Sequence, residues 1–312
     1  MKIKIIIPYF GEFPSNFEFF LKSCEANQEI EFLIFASQSV FPAHPSNVLF
    51  HVLSFEELKV MAQKKLSLSS QSLHVLTPYK LCDYKPAYGL LFADYLQDAD
   101  FWGFCDIDLI FGKIFDILSL EQLEKSERIL TQGHLTFYKN TERINRMFDR
   151  EIKGGICFRK AIEIKEPCFF DEIFMPAICK NEGVVQYGEN VFADILPQYD
   201  SFVIAPLCSI QNKEGQTFCW ENGKLYRVYA QGQDELMYIH LQKRSLPYSP
   251  ISFDKKVYIT PQGFFTEDCY APECEKPSNH QARNYQKKRW TSFTPRKIWI
   301  KFKARRFKEQ LS

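Results

Sequence analysis

The sequence predicts an α/β fold built on a mainly parallel sheet, and three observations carry that reading. Residues 2–7 (KIKIII) and 31–36 (EFLIFA) are apolar runs of strand length, separated by a segment in which Phe17, Phe20, Leu21 and Cys24 recur at helical spacing. A third run, residues 99–105, is apolar apart from Asp100, as expected of a strand buried on both faces of a sheet. That run ends on two acids one residue apart, Asp106 and Asp108.

Each element can be justified in turn. Pro8 breaks the first strand, and the Tyr9-Phe10-Gly11 turn feeds a helix for which Ser15 is the expected N-cap. After the second strand comes a third, residues 49–53, and then Ser54 with Glu57 forms a capping box for a helix ending near Leu66. Strand, helix, strand, strand, helix is the opening of a nucleotide-binding α/β fold. Pro86 suits the first turn of a helix carrying Tyr88, Leu91, Phe92 and Tyr95, which leads into the Asp-x-Asp strand. Residues 116–123 read as helix, 128–138 as a strand with Gly133-His134 inside it, and 141–150 as a polar helix. Residues 154–206 follow no regular period, as expected of the part that shapes a specific site. Residues 218–229 read as a hairpin turning at Asn222-Gly223 and presenting Trp220 and Tyr226, and residues 235–241 as a last short strand or helix bearing His240.

Composition narrows the class. The 312 residues include 30 Phe, 15 Tyr and 4 Trp, enough for a large core and for a site that stacks on rings or sugars. Ten cysteines without a C-x-x-C pair, and no signal peptide before the first strand, point to a reducing cytosol; Cys269 and Cys274 are the nearest thing to a pair. No apolar run is long enough to span a bilayer. The net charge of +1 is divided unevenly, because residues 283–312 hold 11 Lys and Arg against the single acid Glu309. Residues 1–275 therefore read as one domain and residues 276–312 as a basic amphipathic tail. Trp290, Phe293, Ile298, Trp299, Ile300, Phe302 and Phe307 interleave with its cations, a composition suited to an anionic membrane surface. Nucleic acid is not expected as a partner, since the acidic main body would repel it.

Alone, Asp106-x-Asp108 reads equally as a pair of turn aspartates. At the carboxyl end of a core strand, where open α/β sheets bind ligands, the two carboxylates can instead meet on one hard divalent cation that keeps sites free for diphosphate oxygens.

IIIPYFG at the first strand, YKLCDYKPAYG leading to WGFCDIDLIFG, and the later YIHLQKR together resemble bacterial glycosyltransferases of the GT-A fold, in particular those of capsule and O-antigen clusters. The resemblance covers roughly residues 1–245. It implies a Rossmann-like nucleotide-diphospho-sugar transferase in which Asp106 and Asp108 bind Mn2+ or Mg2+, with His240 completing the metal site. It further implies that Pro8, Tyr9, Phe10 and Gly11 hold the nucleoside and that Asp83 and Lys85 contact the sugar and diphosphate. A structural salt bridge between Asp83 and Lys85 is the competing reading. Ser37-Gln38 stands where such enzymes often carry a Thr-Asp-like pair.

Sugar transfer needs the leaving diphosphate stabilised, for which Lys243 is a candidate donor. An inverting enzyme also needs a carboxylate base, for which Asp171 and Glu172 in CFFDEIF are candidates because neighbouring aromatics can desolvate them. His134 is a candidate for the acceptor site. The expected function is hexose transfer from a nucleotide sugar, such as UDP-galactose or UDP-glucose, to a surface polysaccharide or lipid-linked glycan at the cytoplasmic face of the membrane. The alternatives are an Asp-x-Asp phosphatase and an inactive glycan-binding scaffold of the same fold.

Overall fold

The computed structural model describes residues 1–214, 216–242, 244, 246–266, 299–300, 302–303 and 307. The chain opens with β1 (Ile3–Pro8), α1 (Phe17–Glu25), β2 (Ile30–Ala36), β3 (Val48–Val52) and α2 (Phe55–Leu66). A 3₁₀ stretch, Pro78–Ala87, and a helical turn, Tyr88–Leu91, lead into β4 (Phe101–Cys105), β5 (Leu109–Phe111), β6 (Arg128–Gln132) and β7 (Leu135–Lys139). Short helices and a π-helical turn, Phe170–Phe174, precede β8 (Gln186–Tyr187) and β9 (Ala193–Asp194). The remaining strands are β10 (Thr217–Glu221), β11 (Lys224–Tyr229), β12 (Gly232–Leu236), β13 (Tyr238–His240), β14 (Val257–Thr260) and β15 (Gly263–Thr266).

Among the described residues the strands form three sheets, and the largest runs in the order β3-β2-β1-β4-β7-β6-β8. Its first four strands are parallel, and β7 pairs antiparallel with both β4 and β6. From β1 the chain winds outward to β3 and returns to the opposite side of β1 as β4. The order of strands thus reverses between β1 and β4, the kind of switch point beyond whose carboxyl ends open α/β sheets bind ligands. The Rossmann-like α/β expectation is met in this half.

Alternation along the strands fills the two faces. Ile3, Ile5, Ile7, Phe101 and Cys105 pack with α1 and with Phe218, Trp220 and Ile259 of a second sheet, β12-β11-β10-β14-β15. Ile6, Trp102 and Phe104 face Leu58, Tyr84 and Tyr88 on the other side. The third sheet, β5-β13-β9, joins the Asp-x-Asp turn to the far end of the chain.

Several elements differ from expectation. The cap of α1 is Asn16 rather than Ser15, whereas the Ser54–Glu57 capping box forms as read. Pro86 lies near the end of the 3₁₀ stretch, not in a first helical turn, and residues 116–123 divide into two helices, Ile114–Ile117 and Leu120–Lys125, because Ser119 caps the second. The polar helix at 141–150 is reduced to Glu142–Asn145 and a 3₁₀ turn. Residues 128–138 are two strands, with Gly133-His134 as their turn and a register shift at Leu130, whose φ is +58°. The Asn222-Gly223 hairpin forms with both residues at positive φ, 51° and 83°, as a two-residue primed turn requires. Trp220 is not presented to solvent: it is 2% exposed and its Nε1 donates to Phe111 O at 2.9 Å.

Asp83 also departs from its expected role. It is fully buried, and its oxygens accept the N–H groups of Cys168 at 2.9 Å and Phe170 at 3.0 Å. Its ion-pair partner is Lys80, at 2.5 Å, and not Lys85. Lys80 Nζ in turn donates to Ala161 O and Glu166 O, both at 2.8 Å. A carboxylate so enclosed has no face for a sugar; it fastens residues 161–170 to the 3₁₀ stretch.

Of the tail, Ile300 and Phe307 are buried in the main body, Phe307 against Phe174 at 5.3 Å, while Trp299 and Phe302 are exposed. Apart from these four residues and Lys303, the tail lies outside the described residues, as do Cys269 and Cys274. Among the described residues no helix is long and apolar enough to cross a membrane, and the eight cysteines are free thiols.

Removing one member of a buried ion pair strands the other's charge, at a cost of about 3–5 kcal/mol. Asp83→Ala is therefore expected to lower unfolding stability by about that amount in urea titrations, and a loss below about 1 kcal/mol would rule out the anchoring role.

Candidate functional site

The site forms where β4 ends and β13 passes the same turn. β4 is buried along its whole length, so its register is fixed and Asp106 and Asp108 emerge at a set place. Asp106 N–H donates to His134 O at 3.0 Å, tying the turn to the β6–β7 hairpin. The Asp106 side chain is 38% exposed and that of Asp108 24%, so both reach solvent.

His240, 132 positions beyond Asp108 in the chain, arrives through sheet pairing. β13 runs antiparallel to β5 with His240 opposite Leu109, and Leu241 N–H donates to Asp108 O at 3.0 Å. His240 Nε2 then lies 3.4 Å from Asp108 Oδ1. Asp106, Asp108 and His240 can each offer one ligand atom, all within 4.8 Å of one another. Two carboxylate oxygens and one imidazole nitrogen suit Mn2+ or Mg2+, with coordination positions left for other oxygens.

Lys85 is the cation of this site. Its Nζ donates to Asp106 Oδ1 at 2.7 Å and to Gly133 O at 2.6 Å. Burial would lower the ammonium's pKa, but Asp106 and Asp171 hold it above the ordinary range. Tyr9, in the turn after β1, is near enough that burial and the charge of Asp108 both raise its phenol. The Pro8–Gly11 turn, at the carboxyl end of β1, and the Asp-x-Asp turn, at that of the adjacent β4, thus lie at the same edge of the sheet.

Asp171 and Glu172 come to the same place from the π-helical turn. Gly133 is the point of closest approach: a methyl group there would meet Glu172 Oε1 at 2.5 Å and Asp171 Oδ2 at 2.6 Å. Burial pushes the Asp171 carboxyl well above the carboxylate range, reinforced by Glu172, Asp83 and Asp106 and opposed by Lys85. Glu172 is exposed along part of its side chain, yet burial of its carboxyl raises it too, with Asp106 and Asp194 adding to the effect and Lys85 and His240 opposing it. Asp171 is 3% exposed, so of the two only Glu172 faces solvent.

His134 sits in the interior. It is 5% exposed, its ring lies 4.5 Å from that of His240, and Phe192 and Tyr238 enclose it. Burial and the neighbouring cations keep it neutral, and neither ring nitrogen has a hydrogen-bond partner. This burial removes it from any acceptor surface. Lys243 lies outside the described residues.

One residue escaped the sequence reading. Asp194, on β9 directly beside His240, accepts from His240 Nδ1 at 2.8 Å and from Gln242 Nε2 at 2.6 Å. With Asp108 on its other nitrogen, His240 is raised to about 10 although burial alone would lower it. The available signal was a lone acid within the apolar run VFADIL at residues 191–196.

A family model described as "Family of unknown function (DUF6625)" matches residues 5–268. No curated protein matches the chain. Among solved structures, the galactosyltransferase LgtC in complex with donor and acceptor sugar analogs is similar over 63% of this chain and 76% of that chain, at 8% identity and a TM-score of 0.32.

A carboxyl whose folded-state pKa exceeds its unfolded value destabilises the fold as pH rises through the folded pKa, and does so least when protonated in both states. Asp171→Asn cannot ionise there. It is expected to unfold at a higher temperature than the parent protein at pH 8, with the margin shrinking toward pH 4. Thermal scans showing a margin independent of pH would exclude the raised pKa.

Proposed function

We propose that this chain, which belongs to the DUF6625 family, is a divalent-metal-dependent glycosyltransferase of GT-A type. It would move a hexose from a nucleoside-diphosphate sugar, with uridine as the favoured base, to a glycan or lipid-linked glycan. The observation that carries the reading is the convergence of Asp106, Asp108, His240, Lys85 and Glu172, from four separated segments, on the crevice between β1 and β4.

The chemistry follows from what each group can do. A divalent cation on Asp106, Asp108 and His240 would stabilise the charge that grows on the leaving diphosphate. Lys85, fixed in advance on Asp106, adds a second positive charge there without reorganising. The turn of Pro8, Tyr9, Phe10 and Gly11 lies at the carboxyl end of β1, where a nucleoside reaches the crevice. Glu172 is the base: a carboxyl pushed above its ordinary range by burial is the stronger proton acceptor toward an acceptor hydroxyl, and its exposure gives the acceptor access. A phosphatase of the Asp-x-Asp type is less well supported, since Leu109 and Ile110 beyond the motif are fully buried in β5 and leave no open loop there.

Calorimetric titration of UDP is expected to show binding only with Mn2+ or Mg2+ present, and Asp108→Asn should abolish it. Binding of equal strength without metal would overturn the assignment.

The tail reading is refined by the burial of Ile300 and Phe307, because deleting it would also remove core contacts. Among the described residues of the tail, Trp299, with Lys160 and Lys303 each within 6 Å of its ring, and Phe302 are the exposed aromatics that could meet an anionic membrane. Replacing both Trp299 and Phe302 by Ser is expected to reduce co-sedimentation with phosphatidylserine vesicles and leave the thermal midpoint unchanged. Undiminished sedimentation would remove the membrane from the account.

A further inference from the structure

We infer that Asp194 is a positioning residue for the metal site, fixing which nitrogen of His240 faces the cation. The inference rests on the metal-dependent reading above. An imidazole can present either nitrogen to a ligand, and which one is set by the hydrogen bond the other makes. Here Asp194 Oδ1 lies 2.8 Å from His240 Nδ1, while Nε2 faces Asp108 Oδ1 at 3.4 Å. Once a cation takes the place of the Nε2 proton, the bond from Nδ1 to Asp194 leaves the Nε2 lone pair directed at the Asp-x-Asp turn. Carboxylates in this outer position also raise the basicity of the ligating nitrogen.

The surroundings fit that task. Asp194 is 4% exposed, and its position opposite His240 is imposed by the parallel pairing of β9 with β13. A buried carboxylate needs donors, and it has two: His240 Nδ1 and Gln242 Nε2 at 2.6 Å. Gln242 makes its bond from a left-handed backbone, φ +48°, a conformation that costs a non-glycine residue energy and persists where the surrounding structure demands it. The neutral ring of His134, 4.5 Å from that of His240, braces the imidazole without competing for Asp194. None of these groups reaches the solvent crevice as openly as Asp106, so they act through His240.

The test is the affinity of the full chain for Mn2+ alone, read from the electron paramagnetic resonance signal of the free ion, without nucleotide or turnover. Asp194→Asn keeps the shape and an acceptor but removes the charge, and is expected to weaken Mn2+ binding about 10–100-fold, typical of lost outer-sphere partners. Asp194→Asn also weakens the charge pairing of buried His240, so its thermal midpoint without metal is expected to fall; Mn2+ affinity is therefore compared well below that midpoint, where a purely supporting role predicts no loss. Gln242→Leu, which leaves Asp194 one donor short, should weaken Mn2+ in the same direction by less, and carries the test if Asp194→Asn does not fold. Parent and variants binding Mn2+ equally would overturn the inference and leave the metal site standing. Failure of the parent protein itself to bind Mn2+ would instead remove the reading on which the inference rests.

Discussion

The arrangement depends on one buried ammonium. Lys85 touches both the Asp-x-Asp turn and the β6–β7 hairpin, through Asp106 and Gly133 O. Around it stand Asp106, Asp171 and Glu172, three acids that could not be crowded together without a positive charge among them. Lys85 is thus both the electrostatic counterweight of the site and the tie that keeps its walls at a fixed distance. It belongs to the 3₁₀ stretch, which is itself fastened from behind by the Lys80–Asp83 pair. The order of dependence runs from that buried pair, to the 3₁₀ stretch, to Lys85, and only then to the carboxylates that face the crevice.

Much of this order was legible in the chain. The parallel half of the sheet follows from apolar runs of strand length, and the place of Asp106 and Asp108 follows from the burial of the strand before them. Local chemistry was equally readable where it is self-contained: Ser54 and Glu57 satisfy each other's backbone within one turn, and Asn222-Gly223 accepts the positive φ that its hairpin requires. Asp171 and Glu172 could be singled out as acids among aromatics, and they do crowd beside Asp106.

What could not be read was pairing over long sequence distance. Asp83 and Lys85 are two residues apart and of opposite charge, so a bond between them was the natural local alternative. Alternate positions along the 3₁₀ stretch instead send one toward Cys168 and the other toward Asp106. Gly133-His134 looked like the interior of a strand because His134 is followed by apolar residues, yet the close approach of Glu172 at Gly133 leaves room only for a turn without a side chain. Asp194 became visible only once β9 was seen to lie alongside β13. Such partners are selected by the packing of whole elements, and no window of the sequence contains both members.

The contact between Phe307 and Phe174 has a wider meaning. Phe174 closes the same π-helical turn that carries Asp171 and Glu172, so the far end of the chain helps to make the floor beneath the two acids. The tail is therefore not an appendage that can be trimmed for convenience. A shortened chain would lose an aromatic wedge behind its two crowded carboxyls, and a defect measured in it would report a loosened floor as readily as a lost anchorage to any surface.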